Sequence, residues 1–105
     1  MKPDKVLSML GIAKKSGNVK SGTYQVEEAV KTMEAFLVIG AIDGSDRRKK
    51  DIKNMCEYYE VPFVFCKTKE ELGNSIGKEY CALVAITDEK LAKSIIDKIE
   101  LESLE

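Results

Sequence analysis

Two nearly unbroken apolar runs, residues 36–42 (FLVIGAI) and 81–86 (CALVAI), constrain this 105-residue chain more than any other feature. A strand with one wet face alternates apolar and polar residues, and these runs do not. Their length and β-branched content suit strands buried on both faces. Pro62 introduces a third strand at 63–66. Covering both faces of a sheet requires helices on each side, and the intervening segments supply them. Residues 4–15 carry Val6, Met9, Leu10 and Ala13 at helical spacing, with Ile12 flanking the stripe, Pro3 near the start and Gly17 at the end. A short extended piece at 18–20 leads to a helix at 23–33, with Val26, Ala29, Val30 and Met33 on one face. Asp43-Gly44 breaks the first apolar run before a helix at 46–59, whose inner face is Ile52, Met55, Cys56 and Tyr59; Tyr58 falls on its surface. Thr68 and Glu71 have the spacing of a capping box for a short helix ending by Gly77. Thr87 can cap a last helix, which Asp88 and Glu89 favour and whose apolar face is Leu91, Ala92, Ile95, Ile96 and Ile99. The expected order is α-β-α-β-α-β-α-β-α in a single domain spanning 1–105, with Leu104-Glu105 read as a cloning remnant.

No apolar run reaches the ~18 residues of a membrane span, and the start lacks a secretory pattern, so a cytoplasmic protein is expected. Cys56, Cys66 and Cys81 are odd in number, scattered and set in apolar stretches, which suits reduced core residues. With no histidine and no CxxC pair, neither a zinc site nor a Ser/His or Cys/His nucleophile is expected. The glycines at 11, 17 and 22 match neither a dinucleotide fingerprint nor a P-loop. No enzyme activity, cofactor or metal is expected. The net charge of −1 is unevenly spread: residues 1–54 sum to +4 and residues 55–105 to −5. One basic and one acidic face follow.

The basic half holds the candidate site. Gly22-Thr23-Tyr24-Gln25 opens a helix directly after a segment containing Lys14, Lys15 and Lys20. A helix start offers unpaired N–H groups and partial positive charge, a seat for phosphate from which side chains can reach base edges. The plainer reading makes Gln25 the second half of a capping box on Gly22 and the lysines solvated charges. Arg47-Arg48-Lys49-Lys50 occupies the first turns of a helix, where the dipole disfavours cations; the run is either an ordinary solvated helix face or a contact for an anionic partner. Lys78-Glu79-Tyr80 precedes the last strand, and Tyr80 could stack on an exposed base or be an ordinary half-buried tyrosine. A shared interface requires Lys14, Lys15, Gln25, Arg47, Arg48 and Lys78 on one face.

Leu10-Gly11-Ile12-Ala13-Lys14-Lys15-Ser16-Gly17, Ser21-Gly22, Phe36-Leu37-Val38-Ile39, Asp43-Gly44-Ser45, Lys49-Lys50, Val61-Pro62, Glu71-Leu72-Gly73, Ile76-Gly77-Lys78 and Ala85-Ile86-Thr87-Asp88 occur in an order that resembles bacterial YlxQ-type proteins of the ribosomal protein L-seven-Ae/L-thirty-e superfamily. The resemblance spans nearly the whole chain. It implies a three-layer α-β-α sandwich with a mixed four-stranded sheet, and binding of kink-turn RNA. The superfamily's RNA binders open the second helix with Gly-x-Asn-Glu and place a lysine three positions after the Glu. The matching positions are Gly22, Thr23, Tyr24, Gln25 and Glu28, so Tyr24 and Glu28 depart from the pattern, Glu28 with reversed charge. The expected RNA-binding residues are Lys14, Lys15, Lys20, Gly22, Thr23, Tyr24, Gln25, Asp43, Arg47, Arg48, Lys49, Lys78 and Tyr80. The expected partners are structured, kinked or ribosomal RNA and ribosomal or RNA-processing proteins. A protein-interaction module that kept the fold but lost RNA recognition is the alternative.

Overall fold

Helices and strands alternate throughout the computed structural model, which describes residues 4–104; Pro3 and Glu105 lie outside them. The elements are α1 (Lys5–Lys15), β1 (Val19–Ser21), α2 (Thr23–Lys31), β2 (Leu37–Gly40), α3 (Asp46–Tyr58), β3 (Phe63–Phe65), α4 (Lys69–Ser75), β4 (Leu83–Ile86) and α5 (Glu89–Ser103). Side-chain caps start four of the helices by satisfying otherwise orphaned N–H groups. Asp4 accepts from the Leu7 N–H at 3.0 Å, and Ser45 from the Arg48 N–H at 3.2 Å. Thr68 and Glu71 form the expected reciprocal box. The cap of α5 is Asp88, accepting from the Leu91 N–H at 2.9 Å, rather than Thr87. The Thr87 N–H instead donates to the Asn18 carbonyl, which keeps Thr87 aligned with the sheet.

The strands lie in the order β1-β4-β2-β3. β1 and β2 each pair antiparallel with β4, and β3 pairs parallel with β2. The sheet is therefore mixed, and apolar layers cover both faces. On one face Val6, Leu10 and Ala13 of α1, Leu72 of α4 and Ile95 of α5 pack with Leu37, Ile39, Val84 and Ile86. On the other, Val26, Ala29 and Val30 of α2 and Cys56 of α3 pack with Val38, Leu83 and Ala85. The result is the three-layer sandwich that the apolar runs imply. Those runs overstate the buried strand, because Phe36 and Ile42 are exposed at its ends. Met33 is also exposed, because α2 ends at Lys31 and the chain turns away with Met33 at φ 63°. The three cysteines are free thiols, and burial pushes that of Cys56 up to about 11, leaving it protonated at neutral pH.

A partly buried cluster ties the chain's two ends together. The Lys67 ammonium donates to Asp4 at 2.7 Å and to Glu102 at 2.8 Å. Burial alone would raise Asp4, but the Lys67 contact and the Leu7 N–H hold it below 3.8. Burial would lower Lys67, but its two carboxylates hold it above 10.5. Asp4 therefore contributes stability above its unfolded value, lost as pH falls through the lower folded one. Lys67 contributes below its unfolded value, lost as pH rises through the higher folded one. Lys67→Gln should cost ~1–2 kcal/mol at neutral pH, discounting the more exposed Glu102 contact. In urea melts the difference from wild type should shrink once the pH falls below that of a normal aspartate.

Candidate nucleic-acid interface

The register brings one set of loops to a single end of the sheet. Ser21 lies opposite Val84, and Gly40 opposite both Leu83 and Phe65. The starts of α2 and α3 and the loop before β4 therefore meet there.

Gly22 makes the turn from β1 into α2 at φ 89°, ψ 157°, a conformation open essentially to glycine alone. Its N–H donates to the Leu83 carbonyl at 3.0 Å, extending the sheet ladder into the cap position. That bond removes the plainer reading of Gln25, since the donor a capping box needs is already used. No side chain caps α2, and its first helical bond runs from the Val26 N–H to the Gly22 carbonyl. The N–H groups of Thr23, Tyr24 and Gln25 are thus left open, and all three residues are exposed. Among the described helices only α2 starts without a side-chain cap.

Cations surround this start. The Lys78 ammonium donates to Ser21 Oγ at 2.9 Å, beside Gly22. Lys20 lines a shallow surface with Tyr24, Gln25 and Glu28. A groove of about 190 Å³ separates α2 from α3: Thr23 and Glu27 face Arg48, Lys49 and Asp51 over Gly40, Leu83 and Phe65. The Lys49 ammonium bonds the Ile42 carbonyl and stands 6.0 Å from the centre of the Phe65 ring. Arg47 is exposed on the first turn of α3 and does not line the groove. Among the described residues the ion pairs are Lys67–Asp4, Lys67–Glu102 and Lys93–Glu89, so the cations at this end have no carboxylate partner.

Three of the expected residues stand apart from this cluster. Lys14 and Lys15 close α1 at the opposite end of β1, where the Asn18 carbonyl meets Thr87. They lie at the other end of β1 from Gln25 and Lys78, so the six-residue face expected from the sequence does not form as a whole, and any interface at the Gly22 end is built without them. Asp43 accepts from the Lys69 N–H at 2.9 Å and so braces the β2–α3 loop against α4.

Other groove residues escaped the sequence reading. Glu27, Asp51 and Phe65 gave no signal beyond their element. Gly73 of α4 lies outside the groove, but as a glycine inside a helix it did give one. A Cβ there would stand 2.8 Å from three backbone atoms of Tyr80, so the glycine lets the loop before β4 pack on α4. The Tyr80 ring itself is 64% exposed. Gly73→Ala should cost ~1–3 kcal/mol by crowding that backbone, seen as a lower Tm.

A family model described as the Ribosomal protein L7Ae/L30e/S12e/Gadd45 family matches residues 4–96. The chain belongs to this family. The L7Ae/L30e relatives similar to it include the RNA-binding protein YlxQ of Bacillus subtilis, 34% identical over 92 residues, which are 88% of this chain and 92% of that one. The large ribosomal subunit protein eL8 of Thermoplasma volcanium is 34% identical over 101 residues, 91% of this chain and 84% of that one. Among solved structures, a protein of unknown function from Bacillus halodurans superposes with a TM-score of 0.90 at 28% identity, over 93% of this chain and 99% of the other. A 15.5 kD RNA-binding protein of Giardia lamblia shares the fold with a TM-score of 0.77 at 21% identity, over 96% and 92% of the two chains. The L7Ae/L30e resemblance read from the sequence and the sandwich it implied therefore both hold.

Proposed function

We propose that this protein binds structured RNA of the kink-turn type, as a ribosome-associated factor in the cytoplasm that acts without catalysis. The observation that carries the reading is the uncapped start of α2, ringed by cations that have no carboxylate partner. The open N–H groups of Thr23, Tyr24 and Gln25 suit phosphate oxygens or base acceptors, and the Gln25 amide can accept as well as donate. Lys20, Arg47, Arg48, Lys49 and Lys78 supply charge along the backbone, while Tyr80 offers a ring to an unstacked base. Glu27 and Asp51 in the groove suit exocyclic amino groups, which donate rather than accept. Gly22 shapes the start, and Asp43 holds the neighbouring loop. Lys14 and Lys15 fall outside this contact set. Relatives named as RNA-binding and ribosomal proteins support the same reading.

The test is a titration of fluorescent kink-turn RNA, and of the same RNA with its sheared G·A pairs replaced by Watson–Crick pairs, across a salt series. The kinked RNA should bind more tightly, and log affinity should fall by roughly 0.7–0.9 per decade of salt for each phosphate contacted. Equal, salt-insensitive binding of both RNAs would overturn the proposal. Glu28, beside Lys20 on the same surface, favours the second reading, a protein-interaction module without RNA recognition. Partner capture that survives nuclease treatment, joined to a flat RNA titration, would select it.

A further inference from the structure

A second concave surface lies at the other end of the sheet, where the Phe36 N–H meets the Ile86 carbonyl and the Val38 N–H meets that of Pro62. The groove holds about 420 Å³ and is lined by Met33, Phe36, Pro62 and Ile96 over Ala35 and Val61. Met33 is 75% exposed and Phe36 38%.

Two backbone details single the groove out. Both α2 and α3 end in Schellman motifs. The Glu34 N–H reaches back to the Ala29 carbonyl at 2.8 Å, and the Val61 N–H to that of Cys56 at 2.8 Å. Glycine is favoured at the left-handed position of such a motif. Here those positions hold Met33 at φ 63° and Glu60 at φ 57°, and both residues line the groove. The chain thus keeps a strained side chain at each position, and the fold leaves that of Met33 unburied.

The rim charge identifies the partner. Two carboxylates, Glu60 and Glu89, line the groove against one cation, Lys93, which stands 3.8 Å from Glu89, so the lining carries a net negative charge and Glu60 is its unpaired carboxylate among the described residues. An acidic rim around an apolar floor repels phosphate and complements Lys or Arg beside a large apolar side chain.

We propose that this groove docks a basic amphipathic segment of a protein partner, leaving the Gly22 end of the sheet free. The proposal stands independently of the RNA reading, because none of the groove residues belongs to that interface.

The probe is a short fluorescent peptide with Leu and Phe on one face and flanking lysines, set against the same peptide with glutamates for the lysines. Binding to the full chain is followed by anisotropy and by backbone amide shifts. The lysine peptide should bind about tenfold more tightly than the glutamate one, with shifts centred on Met33, Phe36 and Ile96. Glu60→Lys with Glu89→Lys should reverse the order of the two peptides. Met33→Gly should raise Tm yet weaken the lysine peptide, which separates docking from folding. Equal binding of both peptides, shifts confined to the Gly22 end, RNA-induced shifts at Met33, or self-association through Met33 would each overturn it.

Discussion

Alanine in place of Gly22 is expected to lower both the stability of the fold and its affinity for structured RNA. At φ 89° and ψ 157° a side chain adds strain of ~1–3 kcal/mol. Crowding is not the cause, since a Cβ built there meets nothing within 4 Å. Relief of the strain must therefore come from rotating the backbone. Rotation moves the N–H away from the Leu83 carbonyl, now 3.0 Å distant, and re-aims the start of α2. For a chain of this size Tm should fall by about 4–8 °C per kcal/mol. The open N–H groups of Thr23, Tyr24 and Gln25 then point elsewhere, so RNA affinity should fall about tenfold or more, as expected when charge-assisted bonds are misplaced. Gly17→Ala is the matched control. Gly17 also has positive φ, 79°, and open space around it, but it lies at the far end of β1. That variant should lose stability and keep its RNA affinity. Equal losses of affinity in the two variants would show that Gly22 matters only through global stability.

What the chain reveals before folding is set by how local each interaction is. The two apolar runs announce the central strands because burial on both faces leaves no alternation to read. The Thr68–Glu71 box is legible because both halves lie within one helical turn. Gln25 has the same spacing from Gly22, yet the box does not form, because a carbonyl from β4 takes the donor first. Spacing along a helix cannot register that competitor. Lys14 and Lys15 mislead for a related reason. They are close to Gly22 in sequence, but β1 carries the chain across the sheet between them. The role of Asp43 is likewise non-local, since its partner N–H belongs to Lys69 on α4. Gly73 is the site feature a closer reading could have caught, because glycine inside a helix costs about 1 kcal/mol relative to alanine and needs a packing reason.

Removing Arg47 and Arg48 should move stability and RNA affinity in opposite directions. Both sit in the first turn of α3, where exposed cations oppose the helix dipole by ~0.3–1 kcal/mol each. Neither has an ion-pair partner among the described residues, and the Ser45 cap bonds only the Arg48 backbone N–H. Arg47→Gln with Arg48→Gln therefore keeps the cap and relieves the dipole, so Tm should stay level or rise slightly. The same change removes two charges from the proposed RNA surface. At ~1 kcal/mol or more per contact, affinity at low salt should fall about thirtyfold. The salt dependence should flatten by roughly 0.7–0.9 decades per decade for each lost phosphate contact. A structural role for the arginines would lower Tm and affinity together, and a solvated charge run would move neither. Unchanged affinity and slope, with Tm preserved, would remove α3 from the interface and leave the uncapped start of α2 with Lys20 and Lys78 as its remaining core.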